Sequence, residues 1–140
     1  MRVAFGSDLA NEVTAAIESW LREAGHDVAL YGALNPSDEE AWPHVGKSVG
    51  EAVAQAHAES GIVCCWTGTG VSMAANKVAG VRAALCTDAE TARGARRWND
   101  ANVLALGLRL TSPEVANEML DAFLATEADA DERENVSRLG

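Results

Sequence analysis

The sequence predicts an α/β fold: a three-layer, doubly wound five-stranded parallel sheet of strand order 2-1-3-4-5, in a single domain spanning residues 1–140. Three observations predict it. Short apolar runs alternate with amphipathic stretches of helical period along the chain. Its 140 residues suit one domain, and 48% of them are apolar, enough for a core. No repeat, low-complexity tract or linker interrupts the alternation.

The elements follow in order. Val3–Gly6 reads as a short buried strand. Leu9–Ala24 reads as a helix, with Val13, Ile17, Trp20 and Leu21 on one face and Gly25 where a helix-closing glycine belongs. Val28–Tyr31 is a second strand, and Gly32–Glu40 a polar loop containing proline. Pro43–Glu59 reads as a helix whose face carries Val45, Val49, Val53 and Ala56. Gly61–Cys65 is the third strand, Trp66–Gly70 a turn and Val71–Lys77 a short helix. Val81–Leu85 is the fourth strand, Ala89–Trp98 a helix and Asn102–Leu106 the fifth strand. Ser112-Pro113 then starts a last helix to Ala125, with serine as cap and proline in the first turn. Residues 127–140 form an acidic C-terminal arm, either a mobile end or a reach toward a partner subunit.

Composition narrows the function. A net charge of -10 argues against a nucleic-acid binder or a polybasic membrane-surface protein. No apolar run approaches the roughly 20 residues of a membrane span. The start of the chain does not read as a signal peptide, and three cysteines, two of them adjacent, make no disulfide framework. A reduced cytoplasmic location is expected. With no CxxC pair and no histidines at ligand spacing, neither metal nor cofactor is expected. Four of the seven aromatics are tryptophans, so some are placed for shape.

In an open sheet of this kind, ligands bind at the carboxyl ends of the strands where the winding reverses. That points to Ser7-Asp8 and to Cys65 through Ser72. The second segment runs from a strand end through two glycines into a helix start. It suits an anion held by backbone N–H groups, although an ordinary strand–helix connection has the same look. It is neither GxxxxGK[ST] nor GxGxxG. Cys64 and Cys65 point to opposite faces, so one can be core while the other faces the crevice. There a thiol beside a helix start would act as nucleophile or base; two buried small hydrophobes are the other reading. Cys86 reads as structural. Asp8 either orients a substrate hydroxyl or serves the start of the next helix. His44 is a loop candidate, Arg93, Arg96 and Arg97 read as a solvated face, and Arg109 is the better anion ligand. Asn99-Asp100 precedes strand 5, at the edge opposite Cys65, where a neighbouring subunit reaches it more easily.

These segments, Gly6-Ser7-Asp8, Trp42-Pro43-His44, Cys65–Ser72, Ala74–Lys77, Val81–Cys86 and Asn99–Leu104, resemble the ribose-5-phosphate isomerase B family, which includes galactose-6-phosphate isomerase subunits. The resemblance covers essentially the whole chain. It implies a cofactor-free aldose–ketose isomerase of a sugar phosphate, ribose 5-phosphate or a related short one, working as a homodimer with shared sites or as a dimer of dimers. Carried onto this sequence, it makes Cys65 the base that moves a proton between C1 and C2, and puts Thr67 beside the reacting oxygens. The backbone of Gly68, Thr69, Gly70, Val71 and Ser72 would stabilise a cis-enediolate. Asp8 and Asn99 would contact sugar hydroxyls, and Arg109 and Arg133 the phosphate.

Four positions depart from the family pattern. Leu9 and Trp98 stand where the family has histidines for phosphate contact and furanose opening, and Trp66 replaces a glycine. Ser137 stands where a second phosphate arginine is usual, with Arg138 adjacent. With Trp42 and His44, the residues Leu9, Trp66 and Trp98 would shape the pocket. Two expectations follow: a substrate that needs no ring opening, such as a tetrose phosphate, or a non-catalytic sugar-phosphate-binding relative.

Overall fold

The computed structural model describes all 140 residues. Its strands are β1 (Arg2–Ser7), β2 (Asp27–Gly32), β3 (Ser60–Cys65), β4 (Ala83–Leu85) and β5 (Val103–Gly107). Its helices are α1 (Glu12–Glu23), α2 (Trp42–Ala54), α3 (Thr69–Asn76), α4 (Ala89–Asn99) and α5 (Pro113–Ala125), with a short α6 (Arg133–Ser137). All strand pairs are parallel, and the sheet is covered on both faces, as the α/β prediction requires.

The strand order is β2-β1-β3-β5-β4, which corrects the predicted 2-1-3-4-5 at its far edge. Burial explains the exchange. All five residues of β5 are buried, whereas β4 has three residues and a half-exposed Leu85. The longer apolar strand takes the interior place and the short one blunts the edge. Handedness then sorts the helices. Right-handed crossovers moving outward from β3 lay their helices on one face, and the return from β4 to β5 uses the other. Accordingly α2 and α3 pack on one apolar layer, and α1, α4 and α5 on the other.

Local chemistry sets the ends. Asn11 caps α1, its Oδ1 accepting from the N–H groups of Val13 and Thr14, so the helix starts after Leu9 rather than at it. Val13, Ile17 and Leu21 are buried on that helix. At roughly 1.5–3 kcal/mol for each such side chain, packing outweighs helix propensity there. The prediction ran α2 to Glu59, but it stops at Ala54. Ala56 adopts φ +61°, and the N–H of His57 turns back to the carbonyl of Ala52. That is a Schellman closure without the glycine that would have announced it. The arm is not extended: Ala130–Glu132 make one 3₁₀ turn before α6, tied down by Asp129 N–H donating to the carbonyl of Arg97. Arg96 is not a solvated residue. It bonds the carbonyls of Thr126 and Ala101 and the carboxylate of Asp100, and lies over the Phe123 ring. No helix is long and apolar enough to cross a membrane.

Candidate active site

The ends of β1 and β3 lie side by side, Ser7 opposite Cys64, at the point where the winding reverses. Asp8 leaves β1 with its N–H donating to the Cys64 carbonyl at 3.3 Å. The alternation of β3 divides the cysteines as the sequence implies. Cys64 sits in the layer of α1, α4 and α5, and Cys65 in the layer of α2 and α3. Burial pushes the Cys64 thiol far above its ordinary range, and burial with nearby Asp88 pushes Cys86 up to about 11. Both stay protonated near neutrality, which removes them as bases.

Cys65 differs in what it touches. Its Sγ accepts the Gly68 N–H at 3.2 Å. Gly68 holds φ +78° and caps α3, turning the chain sharply at the strand end. Ser72 N–H donates back to the Gly68 carbonyl, as an ordinary helical bond. The first-turn N–H groups of Thr69, Gly70 and Val71 have no intrahelical acceptor. Of the predicted loop, therefore, three N–H groups are free to hold an oxyanion, while those of Gly68 and Ser72 are occupied. Val71 itself is buried, so only its backbone serves the crevice. The hydroxyls of Thr67 and Thr69 lie 2.8 Å apart above this turn.

Trp42 begins α2 and lies over the same turn: a Cβ on Gly70 would stand 3.0 Å from the indole. Ala41, the capping residue of α2, offers no side-chain bond, and Asp38 holds the helix start instead. The Asp38 carboxylate accepts the Gly32 N–H at 2.8 Å and pairs with His44 Nε2 at 2.6 Å. The Gly32 bond, with His44 beside it, keeps that carboxyl below the usual range. His44 is thus a structural clamp of the 33–41 loop, and Asp38 is the partner that sequence reading missed. The spacing of a carboxylate six residues before a helix-start histidine was its only signal.

Asp8 has a buried Oδ1 with no hydrogen-bond partner. Burial, with Glu40 nearby, raises its pKa. A raised carboxyl favours the protonated fold, so ionised Asp8 weakens the native state above its folded pKa, and the penalty vanishes below its unfolded value near 3.9. Asp8→Asn should therefore raise the melting temperature at pH 7 and lose that gain as the pH falls toward 3.5. Melting curves across that range check it; equal midpoints at pH 7 would refute the strain.

On the other side of the turn, Trp66, Thr67, Leu85, Cys86, Arg109 and Leu110 line a cavity of about 240 Å³. Trp66 is half exposed, and Arg109 pairs with no carboxylate. Asn99, Trp98 and Arg133 lie elsewhere. Cys65 pairs with Gly107 at the carboxyl end of β5, whereas Asn99 precedes its amino end. Four strand steps, about 13 Å, separate those edges. Trp98 folds back along α4, its ring against Gly94, and borders a groove with Leu85 and Cys86. Arg133 lies beside Arg97 near the amino edge. Leu9 packs partly buried on the α1 layer. One chain thus assembles Asp8, Cys65, the N–H turn and Trp42, with Arg109 beside Thr67 on the other side of the turn, but not Asn99 and Arg133 around them.

The fold is of the doubly wound α/β class, with its crevice at the switch point between β1 and β3. The sequence profile of the ribose/galactose isomerases matches residues 3–139, and the chain belongs to that family. It is an aldose–ketose isomerase, an intramolecular oxidoreductase. It is 38% identical to ribose-5-phosphate isomerase B of Escherichia coli, over 90% of this chain and 85% of that one. It is 35% identical to a D-erythrulose-4-phosphate isomerase of Pectobacterium atrosepticum, over 91% and 84%. The Clostridium thermocellum ribose-5-phosphate isomerase B superposes with a TM-score of 0.92 at 36% identity, covering 100% of this chain and 95% of that one.

Proposed function

We propose that this chain interconverts the aldose and ketose forms of a short, open-chain sugar phosphate, with Cys65 as the base. The observation that carries the reading is one turn, 65–71, holding the Cys65 thiol and three unsatisfied N–H groups together. The Cys65 thiolate takes the proton from C2 of the aldose. The C–H electron pair forms the C1–C2 double bond of a cis-enediolate, and the carbonyl pair moves onto O1. The N–H groups of Thr69, Gly70 and Val71 receive that charge. The linked hydroxyls of Thr67 and Thr69 pass a proton between O2 and O1, and Cys65 returns its proton to C1. The Asp8 carboxylate, at the carboxyl end of β1 beside the end of β3, takes a substrate hydroxyl. A binding-only role leaves this assembled turn without a purpose.

The site is completed in a homodimer: a second copy brings Asn99, at the end of α4, and Arg133, at the start of α6, which lie toward the opposite edge of the sheet from Cys65 in their own chain. A reducing, cytoplasmic setting accords with three free cysteines.

The substrate class follows from the departures. With Trp98 and Leu9 in place of the family's histidines, no side chain is left to open a furanose or to bind phosphate at residue 9. A tetrose 4-phosphate cannot close a furanose, because its terminal oxygen is esterified. The bulk of Trp66, which lines the cavity beside Thr67 where the family has a glycine, also favours a shorter chain. The relatives' names cover both substrates at similar identity, so substrate kinetics must decide. The kcat/KM for erythrulose 4-phosphate should exceed that for ribose 5-phosphate by at least about tenfold, roughly the worth of one methylene-scale pocket mismatch. Equal or better turnover of ribose 5-phosphate would sink the tetrose assignment.

A further inference from the structure

Arg97, Arg133, Asp100, Asp129, Glu132 and Val136 surround a hollow of about 170 Å³ between the end of α4 and the C-terminal arm. Its carboxylates are engaged. Asp100 bonds Arg82 and Arg96, Asp129 Oδ1 accepts the Asp131 N–H, and Glu132 Oε2 accepts the Asn135 amide. The two arginines are not: neither guanidinium makes a hydrogen bond or an ion pair, while Arg82, Arg93, Arg96 and Arg138 all have carboxylate partners. Asp100 is offset by Arg82 and Arg96, and Asp129 and Glu132 spend oxygens on local donors, so Arg97 and Arg133 are the two charged donors of the hollow left without a partner. Their fork geometry matches a phosphate, which accepts two parallel bonds from each.

We propose that Arg97 is a substrate-binding residue that grips the phosphate together with Arg133, supplying the second guanidinium that Ser137 cannot. This rests on the sugar-phosphate reading above. Arg97 lines the same hollow as Arg133, so an assembly that brings Arg133 to a second copy's site brings Arg97 with it. The arm is held to this place through backbone, Asp129 N–H to the Arg97 carbonyl at 2.8 Å, so side-chain truncation keeps the anchor.

Kinetics and phosphate titration of the full-length protein test the assignment. Arg97→Ala should raise KM for the preferred sugar phosphate roughly tenfold to hundredfold, the loss of a charged hydrogen-bonding group, with kcat within about threefold. Arg97→Lys should lose less. Adding Ser137→Arg to Arg97→Ala should recover most of the loss, which a merely structural role of Arg97 would not allow. Inorganic phosphate binding, followed by calorimetry, should weaken in parallel. Unchanged KM and phosphate affinity in Arg97→Ala, or a loss in kcat alone, overturns the proposal. Should no sugar phosphate be turned over at all, the titration still decides: weakened phosphate binding keeps Arg97 as an anion ligand while the isomerase substrate reading falls, and unchanged binding removes both.

Discussion

Cys65→Ala should lower kcat by about 10²–10⁴, the usual share of a positioned general base, while leaving affinity for inorganic phosphate nearly unchanged. The thiol is the group of the turn able to take a carbon-bound proton, and it already sits 3.2 Å from the Gly68 N–H. The neighbouring thiols supply the control. Cys64 is fully buried on the opposite face of the sheet, so Cys64→Ser should cost stability by placing a hydroxyl in an apolar layer, with little change in rate. Exchange of substrate C–H hydrogen with solvent deuterium reads the step directly. A Cys65→Ala protein that still exchanges at the native rate would remove Cys65 as the base and pass the role to another group.

Gly68→Ala should be the most damaging single-methyl change in the site. Its Cβ would stand 2.8 Å from the Leu106 carbonyl carbon and 2.9 Å from the Gly107 nitrogen, both backbone of the interior strand β5. Those atoms cannot yield as a side-chain tip would. The positive φ adds about 1–2 kcal/mol and the overpacking about 1–3 kcal/mol, a total of about 2–5 kcal/mol. Against the 5–15 kcal/mol of an ordinary domain, the protein should fold with a clearly lowered melting temperature. Activity should fall further, by at least about 10²-fold, because displacement of the turn moves the oxyanion donors. Gly25→Ala isolates the conformational part: its φ is +86°, with nothing within 4 Å of the new methyl. Should Gly68→Ala melt and turn over like Gly25→Ala, the close approach of β5 would carry no weight.

Much of the crevice was legible because it depends on contiguous residues. A strand end, two glycines and a helix start occupy residues 65–72, and their consequences are local. The face assignment of Cys64 and Cys65 needs only the two-residue period of a strand. His44 was visible as a candidate but not as a clamp, because its role rests on Asp38, which reaches it only once the 33–41 loop closes. Arg97 looked like one of three solvated arginines. The difference among them is not sequence but neighbours: Arg93 pairs with Glu90, Arg96 is spent on Asp100 and two carbonyls, and Arg97 is left facing Arg133.

The sequence by itself determined the α/β class, five strands in parallel, the elements that flank the crevice and the residues at the ends of β1 and β3 that border it. All of these follow from periodicity and from residues near in the chain. Only the tertiary structure decided that β5 lies inside β4, because that choice compares the burial of two strands 18 residues apart in a packed sheet. The same holds for which N–H groups stay free, which arginines stay unpaired, and the separation of Asn99 from Cys65 by the length of β5. Each is set by what packing consumes and what it leaves over, and a linear pattern does not contain that remainder.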